Sequence, residues 1–234
     1  MLEFLLLVPM TLGLIAFAVR HKELLQYLLV IGGSLHAVAT ALLWNSGSLS
    51  TLGGWIAVDA AGLLFLSVTS GLFLLVAFFT VGHLRGTDMH YPAGHQAVFV
   101  GCFLLFLSTM TLTCLSQHLG LLWVAIEATT LASAPLIYFH RSSRSLEATW
   151  KYLVICSVGI ALALLGNFFL VLSSTGTGST VSSLVLSDLI RAGPTLLTPW
   201  VKVAFVFFLV GFGTKMGLAP MHTWLPDATR KKTN

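Results

Sequence analysis

The sequence predicts an all-α polytopic membrane protein of about seven transmembrane helices, N-terminus outside and C-terminus cytoplasmic, with a broken seventh helix. Three observations predict it. Of 234 residues, 56% are hydrophobic and only 9% charged, with a mean hydropathy of +0.93, whereas about a quarter of a soluble domain is charged. Apolar runs of about 20 residues recur, the length a helix needs to cross a bilayer. The few charges fall mostly between those runs.

The spans lie at roughly 2–19, 24–44, 60–82, 97–116, 118–139, 149–172 and 200–222. The first starts almost at Met1 without a basic n-region or a cleavage site, so it is expected to be a retained helix rather than a signal peptide. Between spans 2 and 3, residues 45–62 are rich in Gly and Ser and end in a short alternating piece, Trp55 to Asp59, which reads as a small lid or hairpin. Residues 173–199 begin as a flexible turn. They continue with apolar spacing at Leu184, Leu186, Leu189 and Ile190, which suits a helix lying on the outer surface. Arg20, Lys22, Arg85, Arg141, Arg144, Arg230, Lys231 and Lys232 share one side and the opposite loops carry only Arg191; the positive-inside rule gives the orientation.

Several function classes drop out. The net charge of +4 lies at span ends rather than on one stripe, so membrane orientation explains it and no nucleic-acid partner is expected. Cys102, Cys114 and Cys156 lie in apolar runs without a CxxC pair, as small buried residues do. His83, His90 and His95 share a loop at spacings that make no metal site. No nucleotide-binding glycine pattern is present, and no cofactor is expected. Trp44, Trp55, Trp150, Trp200 and Trp224 read as an aromatic belt.

The chemistry concentrates on ionisable residues inside the apolar runs. Glu127 lies within "LLWVAIEATTLASAPL", about 14 Å deep at the helical rise. An acid there costs roughly 2.5 to 3.5 kcal/mol, so it must face protein or water, paired or neutral. Trp123, Thr130 and Ala134 share its face. Lys215 is the one cation deep in an apolar run, and Gly211, Gly213, Gly217 and Pro220 surround it. An interrupted membrane helix leaves backbone groups that only protein or a water-filled cavity can satisfy. Brought together, Glu127 and Lys215 would hold each other charged; apart, each would tend towards neutrality, which loads and releases a proton. A static ion pair is the alternative. Lys151 reads equally as an anchor paired with Glu147 or as a step towards Glu127. His222, just past Pro220, is a relay candidate; His36 and His118 could transfer protons near neutral pH but read more readily as hydrogen-bonded histidines, and Lys202 reads as an anchor.

The phrases "WVAIEATTLASAPL", "SLEATWKYLVICSVG" and "GFGTKMGLAPMHTWLPDA" resemble the antiporter-like, proton-translocating membrane subunits of respiratory complex I, Mrp-type antiporters and membrane-bound hydrogenases. Within that family the resemblance is nearest to component F of hydrogenase-4 or formate hydrogenlyase. It implies that Glu127 and Lys215 gate proton movement through water-filled half-channels, with Lys151 and His222 along the route. It also implies no redox centre in this chain, and as partners other membrane-arm subunits and a peripheral hydrogenase, formate dehydrogenase or NADH dehydrogenase module. Residues 1–96 then form an N-terminal three-helix segment, 97–228 a partial first antiporter-like repeat and 229–234 a basic tail unlike the family. Family members continue into an eighth span and an inverted repeat, so a truncated or split subunit with a separately encoded C-terminal half is the expectation. The other reading is an inactive truncated remnant or an assembly scaffold, for which Cys156, Gly159 and Ala163 offer a small-residue docking face.

Overall fold

The computed structural model describes residues 1–47, 49–86, 91–175 and 183–229. They are almost entirely helical. Two compact units, Met1–Ser116 and Gln117–Asn234, make up the chain. Six helices of 19 to 32 residues among the described residues are long and apolar enough to cross a membrane. The first predicted span is α1, Leu2–Ala18, shorter at 17 residues.

In the first unit α1 packs on α2 (Lys22–Leu43) and on α4 (Ala93–Leu115), and α3 (Ala60–Gly86) packs on both of these. Leu25, Leu29, Phe73, Ala77, Val100, Leu104 and Leu107 form its apolar core. Outward faces are as apolar as the core: Phe65, Leu75 and Phe79 are exposed on α3, as lipid contact requires. The predicted lid is a two-stranded hairpin of β1 (Ser50–Thr51) and β2 (Ile56–Ala57), with Ser50 opposite Ala57. Its turn needs left-handed backbone at Gly53 and Gly54, φ 64° and 89°, which glycine adopts without cost. His90 of the predicted histidine loop lies outside the described residues, as do 176–182 of the outer turn and 230–234 of the tail. No metal-ligand cluster occurs among the described residues.

In the second unit α5 (Leu119–Ile137) and α6 (Ser143–Ser174) run side by side, and α8 (Thr198–Met216) packs on α6. The predicted surface helix is the short α7, Leu186–Ala192. It is held at its start by a hydrogen bond of 2.8 Å from the Leu186 amide to the Gln117 carbonyl. Ser142 and Ser145 form a capping box at the start of α6.

The helix break falls at Gly217, one of the four predicted breakers. The helix α8 runs unbroken through Gly211 and Gly213 and stops at Gly217, φ 74°. There the Leu218 amide reaches back to the Gly213 carbonyl at 2.8 Å and the Gly217 amide to Thr214 at 3.2 Å, a Schellman end that requires the left-handed residue. After a turn, α9 (Trp224–Thr229) begins. Gly217→Ala is expected to cost about 1 kcal/mol, measured by thermal unfolding in detergent, because a side chain disfavours that backbone.

Gly211 serves packing instead. A Cβ there would lie 2.7 Å from the Gly159 carbonyl oxygen and from the Ala163 nitrogen. The small residues of α6 are therefore spent within the chain: Gly159 on Thr214 and Ala163 on Gly211, with Cys156 wholly buried. This corrects the expectation of a free docking face.

Candidate functional site

Lys215 occupies the last turn of α8, where the unpaired carbonyls of a helix end favour a positive charge. Its ammonium donates to Thr130 Oγ1 on α5 at 2.8 Å and to the Tyr152 hydroxyl on α6 at 2.6 Å. The nitrogen stands 4.8 Å from the Tyr152 ring centroid; with the hydroxyl so near, the contact is a hydrogen bond to oxygen rather than a cation over the ring face.

The hydroxyl hydrogens around Lys215 point away from it. Thr130 donates to the Ile126 carbonyl at 3.2 Å. Because Tyr152 accepts from the ammonium, its own hydrogen goes to Ser133 Oγ, 2.6 Å away, and Ser133 donates to the Thr129 carbonyl at 2.7 Å. Each acceptor is polarised towards the lysine, an arrangement that suits an ammonium. Tyr152→Phe keeps the ring and removes one of the two acceptors. It is expected to cost about 2 kcal/mol of stability in thermal unfolding, the range for hydrogen bonds to charged groups.

Glu127 stands one turn from Thr130 on α5. Its Oε1 accepts from Ser157 of α6 at 2.8 Å, and its Oε2 is buried with no partner among the described residues. Glu127 and Lys215 thus share one site without touching, since no ion pair joins them among the described residues. The offset is legible in their partners. Residues 127 and 130 on α5 are about 4.5 Å apart along the axis, and residues 152 and 157 on α6 about 7.5 Å. The carboxylate and the ammonium are held on successive levels of one helix interface.

Other predicted residues separate. Lys151 makes a 2.7 Å ion pair with Glu147 on the exposed surface of α6. His222 lies exposed in the turn before α9, and neither hydrogen bond of Lys215 goes to it. His118 caps α5, its Nδ1 accepting from the Leu121 amide at 3.3 Å.

Trp224 is a correction to the aromatic belt. It is buried, donates from Nε1 to the Thr214 carbonyl at 2.9 Å and packs on Tyr152 with ring centroids 5.1 Å apart. Tyr152, Ser133 and Trp224 are the site residues that sequence reasoning missed. Their signal was the spacing of Thr130 and Ser133 beside Glu127, which places hydroxyls on the same side of α5. Trp123, on Glu127's face, donates to the Ile160 carbonyl at 2.7 Å and fixes α5 against α6 one turn above.

The sequence and the fold have counterparts among known proteins. The membrane-domain family described as NADH:quinone oxidoreductase/Mrp antiporter matches residues 116–232, the stretch that contains every residue of this site. A hydrogenase-4 component F homolog from Methylacidiphilum infernorum is 34% identical over 187 residues, 75% of this chain and 38% of that protein. Subunit N of an F(420)H(2) dehydrogenase from Methanosarcina mazei is 33% identical over 89% of this chain and 41% of its own length. The chain therefore spans about two fifths of these curated relatives. A chain of respiratory complex I from Thermus thermophilus superposes with a TM-score of 0.75 at 27% identity, covering 97% of this chain and 46% of that one. A chain of the archaeal membrane-bound sulfane sulfur reductase shares the fold, with a TM-score of 0.81 at 20% identity. With half of its length matched, including the α5, α6 and α8 residues that hold both charges, this multi-pass membrane protein belongs to the NADH:quinone oxidoreductase/Mrp antiporter membrane family.

Proposed function

We propose that the chain is a proton-translocating membrane subunit, or the N-terminal part of one, in a hydrogenase-4, formate hydrogenlyase or NADH:quinone oxidoreductase-like complex, seated in the cytoplasmic membrane with its C-terminus inside. Its partners are the other membrane subunits, a peripheral electron-transfer module and a second half of the antiporter-like fold. The observation that carries the reading is the asymmetry of the two charges: Lys215 has two hydrogen bonds and a helix end, while Glu127 keeps one buried oxygen unpaired. A lone carboxylate oxygen in that setting takes a proton or a water.

Glu127 is the proton-accepting group and Lys215 the positive charge whose distance sets how readily the acid gives the proton up. Ser157 orients the carboxyl, and Tyr152 and Thr130 hold the ammonium. Lys151 and His222, on the surface near the α5–α6 end and beyond the helix break, are the entry candidates on that side. Electron transfer belongs to the attached module, which drives the lysine towards and away from the acid.

Glu127→Gln tests this in the assembled complex in sealed vesicles. The amide keeps the Ser157 contact and cannot ionise, so electron transfer should continue while coupled proton uptake falls on the order of a hundredfold. Unchanged proton transport would sink the assignment.

A further inference from the structure

The first unit holds a buried titratable group that the proposed gate does not use. His36, midway along the membrane part of α2, is 2% exposed. Both ring nitrogens are bonded: Nδ1 to Ser70 Oγ of α3 and Nε2 to Thr111 Oγ1 of α4, each at 2.8 Å. The Thr111 hydrogen is committed to the Leu107 carbonyl at 2.8 Å. Its oxygen must then accept, and Nε2 carries the ring hydrogen. Ser70 is differently placed, because no second acceptor among the described residues fixes its hydroxyl. It can donate to an unprotonated Nδ1, or turn its hydrogen to a water and accept from a protonated one. With a water beside Ser70 the cradle fits both protonation states.

A second observation points to water at this place. Thr40 lies one turn beyond His36 on α2, is 2% exposed, and its hydroxyl has no partner among the described residues. A buried hydroxyl in a membrane interior that does not bond its own helix requires another polar molecule. Further along the same direction Trp44 Nε1 donates to Ser67 Oγ at 2.9 Å, so polar groups continue to the Leu43 end. In the opposite direction Leu25, Leu29, Phe73, Ala77, Val100 and Leu104 fill the space between the helices.

We propose that His36 is a second proton-binding site, reached by water from the Trp44 end of the first unit and closed by the apolar core from the other. Nδ1 takes the proton from water, the Ser70 hydroxyl turns to accept from it, and the reverse restores the neutral ring. The resulting charge has no acid bonded to it among the described residues. Among groups on the elements around it, Glu3, Lys22, Glu23, His83, Arg85 and His95 lie in end turns, and Tyr27 is exposed. Asp59 precedes α3, Cys102 lies on the far part of α4, and Cys114 shares a hydrogen bond with Thr69. Hydroxyl oxygens and water alone would hold the imidazolium. This site is independent of Glu127 and Lys215.

The test is nitrogen NMR of the histidine-labelled full chain, reconstituted in one orientation in sealed vesicles. His36→Gln identifies its signal among the histidines. If that variant does not fold, the through-space contact of the ring with labelled Thr111 identifies it instead. At neutral pH the ring should show an unprotonated Nδ1. Acidifying the Trp44 side by about four units should remove that signal, and acidifying only the other side should leave it. Thr40→Val should keep the neutral ring and suppress the response. An Nδ1 that stays unprotonated with both sides acidified, or that responds equally from either side, overturns the proposal, as does an undiminished response in Thr40→Val.

Discussion

Lys215→Met is expected to abolish proton transport by the assembled complex, a loss on the order of a hundredfold, with little change in the stability of the chain. The two halves of this expectation have separate causes. Methionine fills the space of the lysine stem but carries no charge, so nothing remains to modulate Glu127. Stability should move by no more than about 1 kcal/mol, because the cost of taking an ammonium out of water disappears with its two hydrogen bonds. Tyr152 and Thr130 keep their own acceptors, Ser133 and the Ile126 carbonyl, so no donor is stranded. Transport measured with a pH-sensitive dye in vesicles, beside thermal unfolding of the same preparation, separates the outcomes. Retained transport would remove Lys215 from the gate. A loss of transport that only follows a collapse of the fold would make the lysine a structural pin.

Gly211→Val is expected to be the most damaging substitution in the helix pair, destabilising by about 3 kcal/mol or more. The neighbours of the missing side chain are the Gly159 carbonyl and the nitrogen and Cβ of Ala163, which cannot turn aside as a long side chain could. The helices would have to separate, carrying Lys215 away from Tyr152. Gly71→Ala on α3 is the control, since nothing lies within 4 Å of a Cβ there, and its effect should stay within about 0.5 kcal/mol. Thermal unfolding in detergent compares the two. Equal effects would mean that the close approach of α6 and α8 contributes nothing.

The charges of the site were legible in the sequence for a simple reason. Glutamate and lysine are so costly inside an apolar run that their presence alone marks a place where protein or water must meet them. What surrounds them was not. Thr130, Ser133 and Tyr152 are ordinary residues in membrane helices, and only the packing of α5 against α6 shows which hydroxyls turn towards Lys215. Trp224 misled because a tryptophan near a span end is usually interfacial, and the chain after Gly217 folds it back under the helix instead. Gly211 and Gly213 were ambiguous for the same kind of reason. A glycine permits both a break and a close contact, and sequence alone does not choose. Gly217 was the true break, and its positive φ is a local property that no hydropathy profile records. The His36 site lay furthest from reach, since its partners are 34 and 75 residues away in sequence.

The hydroxyls and the helix end that surround Lys215 also change what is demanded of Glu127. Where a buried cation depends on one acid, that acid is locked: neutralising it strands the cation, and the pair can only be broken as a whole. Here the lysine is solvated by the protein itself, through Thr130, Tyr152 and the carbonyl end of α8. Glu127 is thereby not required to neutralise its neighbour, and the proposed role asks for just that: a carboxyl free to change state while the scaffold that carries Lys215 stays assembled.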